Sequence, residues 1–334
     1  MQARFQTRIT ELFGIEHPLL CGGLMWLADA RYVGAVVNAG AMGFITPRSF
    51  PDLDAFRAQL ADCQEITCGR PFGVNLYISG QANQNDRVDA WIEASLGAGV
   101  RHFETAGFSP SRWLPRLQAE GAVVIHKCTT IRHALRAERD GVDAVALVGH
   151  ECGGHPGTNT LSAATLGSLA AEQLRVPFVL GGGMGTGSQL VSALSLGADG
   201  VLLGSRMLVS EEIWAHENYK NHLVDLDASS TTTVLSTFGK TYRCLDNEAA
   251  RRVRDLEAQG ISDFDAYRDL VRGEAARTAY ETGDWSHGIL SLGPAISFAD
   301  TVEPAADIIQ RFIHQAQHAT ERVGHLNPTH PGAR

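Results

Sequence analysis

The chain has 334 residues, 44% hydrophobic and 19% charged, enough to bury a full core as one large domain or as one domain with an appendage. Its 28 basic and 37 acidic residues leave a net charge of −9, and the longest basic run is the short Arg251-Arg252-Val253-Arg254, which argues against nucleic acid as a partner. Residues 1–15 mix Arg4, Arg8 and Glu11 with apolar positions, so neither a secretory signal nor a membrane span is expected; six scattered cysteines without a close CxxC pair point to the cytoplasm.

Taken in order, the sequence repeats a strand–helix unit. Apolar runs bounded by glycine predict strands over 17–23, 42–46, 71–77, 102–107, 122–128, 144–149, 177–183 and 200–205. Helical spacing predicts intervening helices over 28–39, 53–66, 86–98, 111–120 and 131–140, several of them stopped by a glycine, and a further helix opens at Thr186. Eight such units within 205 residues, with short strands apolar on both faces, favour a closed parallel barrel of the TIM (β/α)8 type; an open doubly wound sheet is the alternative.

After Glu211 the pattern changes. Residues 247–259 and 263–272 are charged, amphipathic and helical, and a loop over 283–293 leads to a last helix over 304–323 and a frayed tail. The expected organisation is a barrel of residues 1–220 and 287–334, with a helical domain of residues 221–286 covering the barrel mouth.

The segment Val148-Gly149-His150-Glu151-Cys152-Gly153-Gly154-His155-Pro156-Gly157 follows the sixth strand directly, at the end where parallel α/β folds build their sites. His155 is the candidate catalytic residue, because the glycines around it let the backbone bend enough to aim an imidazole into the mouth. His150 reads as structural, Cys152 and Cys128 as small buried fillers, and His150-x-Cys152-x-x-His155 lacks a second ligand pair, so no metal is expected. Gly181-Gly182-Gly183 and Gly204-Ser205 end adjacent strands. Their backbone N–H groups suit a phosphate, although tight turns alone would also use them. Gly22-Gly23, Asn75 and Lys127 fall at the same end and could frame a flat hydrogen-bonding ring. With no GxGxxG after the first strand, FMN fits better than FAD or bound NAD. Lys127, in an apolar strand, needs a partner: a phosphate, a reduced flavin, or Glu104.

These motifs, with Pro71 to Leu76, His126-Lys127-Cys128 and Gly204-Ser205-Arg206, resemble the nitronate monooxygenase (2-nitropropane dioxygenase) family over about residues 5–309, in particular its bacterial NADH:quinone reductase-like branch, and more distantly the FMN-dependent enoyl-acyl carrier protein reductases. The resemblance implies an FMN-bearing barrel with a helical second domain. It places the flavin against Gly22, Gly23, Leu24, Asn75, Lys127, Gly153, Gly181, Gly182, Gly183, Gly204 and Ser205, with His155 facing the ring. The chain departs from the branch at Cys21, Leu24-Met25, Val148 (where the branch carries an Asp) and the 78–86 loop. The implied activity is oxidation of alkyl nitronates with O2. Alternatives are NAD(P)H:quinone reduction, enoyl reduction, and a non-catalytic FMN-binding regulator. The expected partner is a small molecule (nitronate, quinone or NAD(P)H), with a homodimer as the assembly considered.

Overall fold

A computed structural model describes residues 5–158 and 160–326; the tail expectation for residues 327–334 lies outside them. A short helix, α1 (Arg8–Phe13), precedes the first unit, β1 (Leu19–Cys21) and α2 (Ala30–Asn38). The next units are β2 (Met42–Ile45) with α3 (Leu53–Thr67), β3 (Gly73–Ile78) with α4 (Val88–Gly97), and β4 (His102–Gly107) with α5 (Leu114–Ala119). Then come β5 (Val123–Cys128) with α6 (Ile131–Asp140), β6 (Ala144–Val148) with α7 (Ala163–Gln173), β7 (Phe178–Gly181) with α8 (Gly187–Ser195), and β8 (Gly200–Leu203). The eight strands pair in parallel in chain order, and β1 also pairs with β8, so the barrel is closed. Closure excludes the open sheet.

Strand side chains alternate between two cores. Leu19, Cys21, Val74, Leu76, Val145 and Leu147 point outward against the helices. Leu20, Met42, Phe44, Ile125, Ala144, Ala146, Val179 and Leu202 point inward and meet Ile9 and Phe13 of α1, which plugs the N-terminal end. A fork of Arg8 on Asp199, at 2.8 and 2.7 Å, ties α1 to the turn before β8.

The polypeptide then leaves the barrel. It forms α9 (Glu217–Val224), an antiparallel pair β9 (Thr231–Val234) and β10 (Tyr242–Leu245), and helices α10 (Glu248–Ala258), α11 (Arg268–Val271) and α12 (Gly273–Thr282). The predicted helical region therefore carries a small sheet as well. The chain returns in α13 (Ala305–Gly324), packed on α8 and α2. Among the described residues no helix is long and apolar enough to cross a membrane.

Candidate active site

The period of two along β3, β4 and β5 turns Asn75, Glu104 and Lys127 toward the barrel axis near the C-terminal rim, with Asn75 and Glu104 in register. Glu104 is fully buried and meets Lys127 Nζ at 3.0 Å through Oε2. The same oxygen accepts from Asn75 Nδ2 at 2.5 Å and from the Gly23 N–H at 2.9 Å. Lys127 thus has the carboxylate partner that its burial demands. Outward on the same strands, Thr105 Oγ1 lies 2.8 Å from His126 Nδ1, and burial pushes the His126 pKa down to about 4.

Gly22 and Gly23 cover this cluster because nothing larger fits. A β-carbon on Gly23 would stand 2.4 Å from Asn75 Cβ, and one on Gly22 would stand 2.9 Å from Glu104 Oε1. Leu24 follows, half-buried, and Trp26 adopts φ +69°, unusual for a large side chain. Contacts hold that loop in place: Trp26 donates its N–H to Ser49 Oγ at 2.8 Å and accepts Trp214 Nε1–H at 2.7 Å.

Across the rim, Gly153 packs on Leu292 and Gly293, and Gly182 (φ +92°) presses on Gly149 and Cys152. Gly181 ends β7 beside Val148, and Gly183 turns at φ +72° over Glu151, whose Oε2 accepts the Ala163 N–H at the start of α7. A cavity of about 340 Å³ borders Gly182 and Gly183. Ser205 Oγ accepts the Gly293 N–H at 2.8 Å, which leaves its own proton to donate, and a β-carbon on Gly204 would meet nothing within 4 Å.

His155 stands on the next stretch of loop, between Gly154 (φ +85°) and Gly157 (φ +74°). Its side chain is exposed, yet the walls around it, and secondarily Lys240, lower its pKa below the ordinary 6.5. The Tyr242 ring of β10 packs edge-on against it at 4.7 Å, and the Tyr242 hydroxyl hydrogen-bonds Ser291 Oγ. Gly154 and Arg243 exchange two backbone hydrogen bonds, and Arg243 also reaches His150 through the backbone oxygen at 3.2 Å and the ring Nε2 at 2.9 Å. His150 is thereby structural. Cys152 and Cys128 are held as thiols by burial, each pushed up to about 12. Among the described residues no cluster suits a metal ion.

The barrel and its loops can be set beside known proteins. The nitronate monooxygenase family model matches residues 6–315. The chain belongs to the nitronate monooxygenase family. It is 32% identical over 253 residues to the (3aS,4S,5R,7aS)-5-hydroxy-7a-methyl-1-oxo-octahydro-1H-indene-4-carboxyl-CoA dehydrogenase of Mycobacterium tuberculosis, spanning 75% of this chain and 69% of that protein. A probable nitronate monooxygenase of Staphylococcus saprophyticus is 25% identical over 327 residues, spanning 85% of this chain and 91% of that one. Among solved structures, FabK from Thermotoga maritima has a TM-score of 0.87 at 26% identity over 96% of this chain and 99% of that one. The nitroalkane oxidase from Streptomyces ansochromogenes, at 22% identity and a TM-score of 0.79 over 94% and 99% of the two chains, shares the fold. The protein is an oxidoreductase of this family.

Within that family frame, the barrel sets Gly22, Gly23, Asn75 and Lys127 at the C-terminal ends of β1, β3 and β5, with Gly153 and Gly181 to Gly183 following β6 and β7, and Gly204 and Ser205 following β8 directly beside Gly22. Tyr242, Arg243 and Ser291 lie outside the motifs that sequence reading singles out. Their approach depends on a hairpin some ninety residues away from His155, as the separation of His150 and Arg243 shows, and no local pattern encodes that distance.

Proposed function

We propose that this protein is an FMN-dependent oxidoreductase acting on a substrate whose reacting carbon stands next to an electron-withdrawing group, alkyl nitronates oxidised with O2 being the first such class. The observation that carries the reading is the buried Glu104–Lys127–Asn75 cluster beneath two glycines whose side-chain space is already filled by it. Two buried oxygens there, Glu104 Oε1 and Thr46 Oγ1, have no hydrogen-bond partner, which suits a polar ring laid against the loop.

In this reading the phosphate of FMN is held by Gly181 to Gly183, Gly204 and the Ser205 hydroxyl, and the ring by Gly22, Gly23, Leu24, Asn75, Lys127 and Gly153. FMN supplies a reversible two-electron acceptor. The surroundings of His155 favour its neutral form, so it can hydrogen-bond the oxygen of a nitronate, which has already lost its α-proton, or accept that proton from a substrate that still carries it, such as a nitroalkane or a thioester. Tyr242 fixes one edge of its imidazole. The 221–286 insert covers the mouth and limits water. The free cysteines fit a cytoplasmic setting.

A second substrate reading, oxidation or reduction beside a coenzyme A thioester, is favoured by the 32% identity with the Mycobacterium tuberculosis dehydrogenase. Both classes place the reacting carbon next to an electron-withdrawing group within reach of the same imidazole, which hydrogen-bonds the nitronate oxygen in the first and accepts the α-proton in the second. The test is anaerobic mixing of FMN-loaded protein with an alkyl nitronate, a coenzyme A thioester, NADH and NADPH in turn. Rapid bleaching by the nitronate, followed by O2-dependent turnover, is expected. Bleaching by the thioester alone would transfer the assignment to the second reading, and protein that takes up no FMN would end both.

A further inference from the structure

The ion pair with Lys127 does not account for all of Glu104. Three donors, from Gly23, Asn75 and Lys127, converge on Oε2, while the equally buried Oε1 has no partner. A carboxylate with four lone-pair sites and one bare oxygen in a closed barrel is costly unless a donor arrives with a ligand. The β-carbon that Gly22 lacks would stand 2.9 Å from Oε1 and 3.1 Å from Lys127 Nζ, so the acceptor and the cation lie side by side beneath that glycine.

We propose that Glu104 is a cofactor-contacting residue that sets the redox balance of the flavin, its Oε1 accepting from the imide N–H of the ring and its charge offsetting that of Lys127. The inference rests on the FMN reading. The imide is the N–H donor on the edge of an oxidised isoalloxazine, so it matches a bare acceptor. Reduction places negative charge on that same edge, which Lys127 favours and Glu104 opposes. With the two held 3.0 Å apart, the ring meets a nearly compensated pair, and the flavin is a weaker electron acceptor than a lone lysine would make it.

The experiment uses FMN-loaded protein and two readouts independent of turnover: the affinity for sulfite, which adds to the flavin more tightly when positive charge lies nearby, and the midpoint potential against a reference dye. Glu104→Gln keeps the shape and removes the charge. It is expected to retain FMN, bind sulfite at least about tenfold more tightly and shift the potential upward by about 30 mV, the two-electron equivalent of tenfold. Lys127→Gln should weaken sulfite binding by a similar factor, and the double variant should return toward wild type. A flavin-bearing Glu104→Gln protein within twofold of wild type in both readouts overturns the inference. If Glu104→Gln does not fold or does not hold FMN, Lys127→Gln decides, and unchanged sulfite affinity there overturns it as well. Failure of the wild-type protein to bind FMN would instead overturn the underlying reading.

Discussion

Three histidines sit in two electrostatic settings, and each setting has its own consequence. His155 is lowered by its surroundings and then by Lys240, so the acidic limb of its base function falls below pH 6.5. Lys240→Gln removes the cation and should move that limb upward in a kcat/KM profile; a limb that stays in place would show that the lysine does not act on the imidazole. His155→Asn should cost on the order of a hundredfold in kcat with FMN content retained, as removal of a general base typically does. His126 and His102 are buried and neutral, each with a pKa near 4 against 6.5 in an unfolded chain. The unfolded state therefore binds the extra protons between those values. Stability should be level above pH 6.5 and fall by about 1.4 kcal/mol per pH unit for each histidine down to pH 4, which urea unfolding across that window measures. Gly204→Ala fills open space in the proposed phosphate loop and should lower FMN affinity without lowering the Tm of the FMN-free protein.

Between elements, the turn after β8 and the segment before α13 are joined by Arg206 and Glu303. These side chains are almost fully buried and 2.8 Å apart, and Arg311 of α13 meets the other carboxylate oxygen. Glu303→Ala would strand the Arg206 guanidinium in the interior and should cost about 3–5 kcal/mol in chemical unfolding. A loss below 1 kcal/mol would mean that water reaches the site. This joint was not legible in sequence, since Arg206 and Glu303 are 97 positions apart. What could be read were features set by local physics. All eight strands follow from short apolar runs, several of them ended by glycine, and the helices ended by Gly99, Gly121 and Gly141 follow from residues that turn at positive φ. By contrast, α7 begins in Ala163-Ala164-Thr165 with its Ser162 cap and Glu151 supplying acceptors, and it shows little amphipathic contrast because its exposed face includes Ala164 and Ala171 while its buried face includes Gly167 and Ala170. The β9–β10 hairpin also escaped notice. Its TTTV and YRCL strands are short, and its connection contains Leu235 at φ +62° rather than a two-residue glycine turn. The candidate site divides in the same way: its glycines and His155 stand in motifs, whereas Glu104 enters the sequence reading only as one of three possible partners of Lys127, and its position on β4 between β3 and β5 makes it the partner found.

For the whole molecule, the barrel and its insert meet around the catalytic loop. The paired hydrogen bonds between Gly154 and Arg243 extend the small sheet by one residue of the loop that carries His155, a residue whose catalytic role is the one proposed above, and Cys244 bridges Ser291 of the returning chain. Loosening the insert should therefore loosen His155. Tyr242→Phe keeps the ring edge but drops the Ser291 bond, and is expected to change kcat by severalfold with FMN affinity unchanged; equal loss of both would assign Tyr242 to cofactor retention. A closed barrel has no free strand edge, but a two-stranded sheet has two, and an unpaired edge invites pairing with another chain. Here the outer edge of β10 is occupied by the loop that carries His155 and by the segment that brings the chain home. The working loop thus also shields the protein from self-association. Heat that frees His155 would at the same moment uncover a template for strand addition, so inactivation and the onset of light scattering should begin at one temperature.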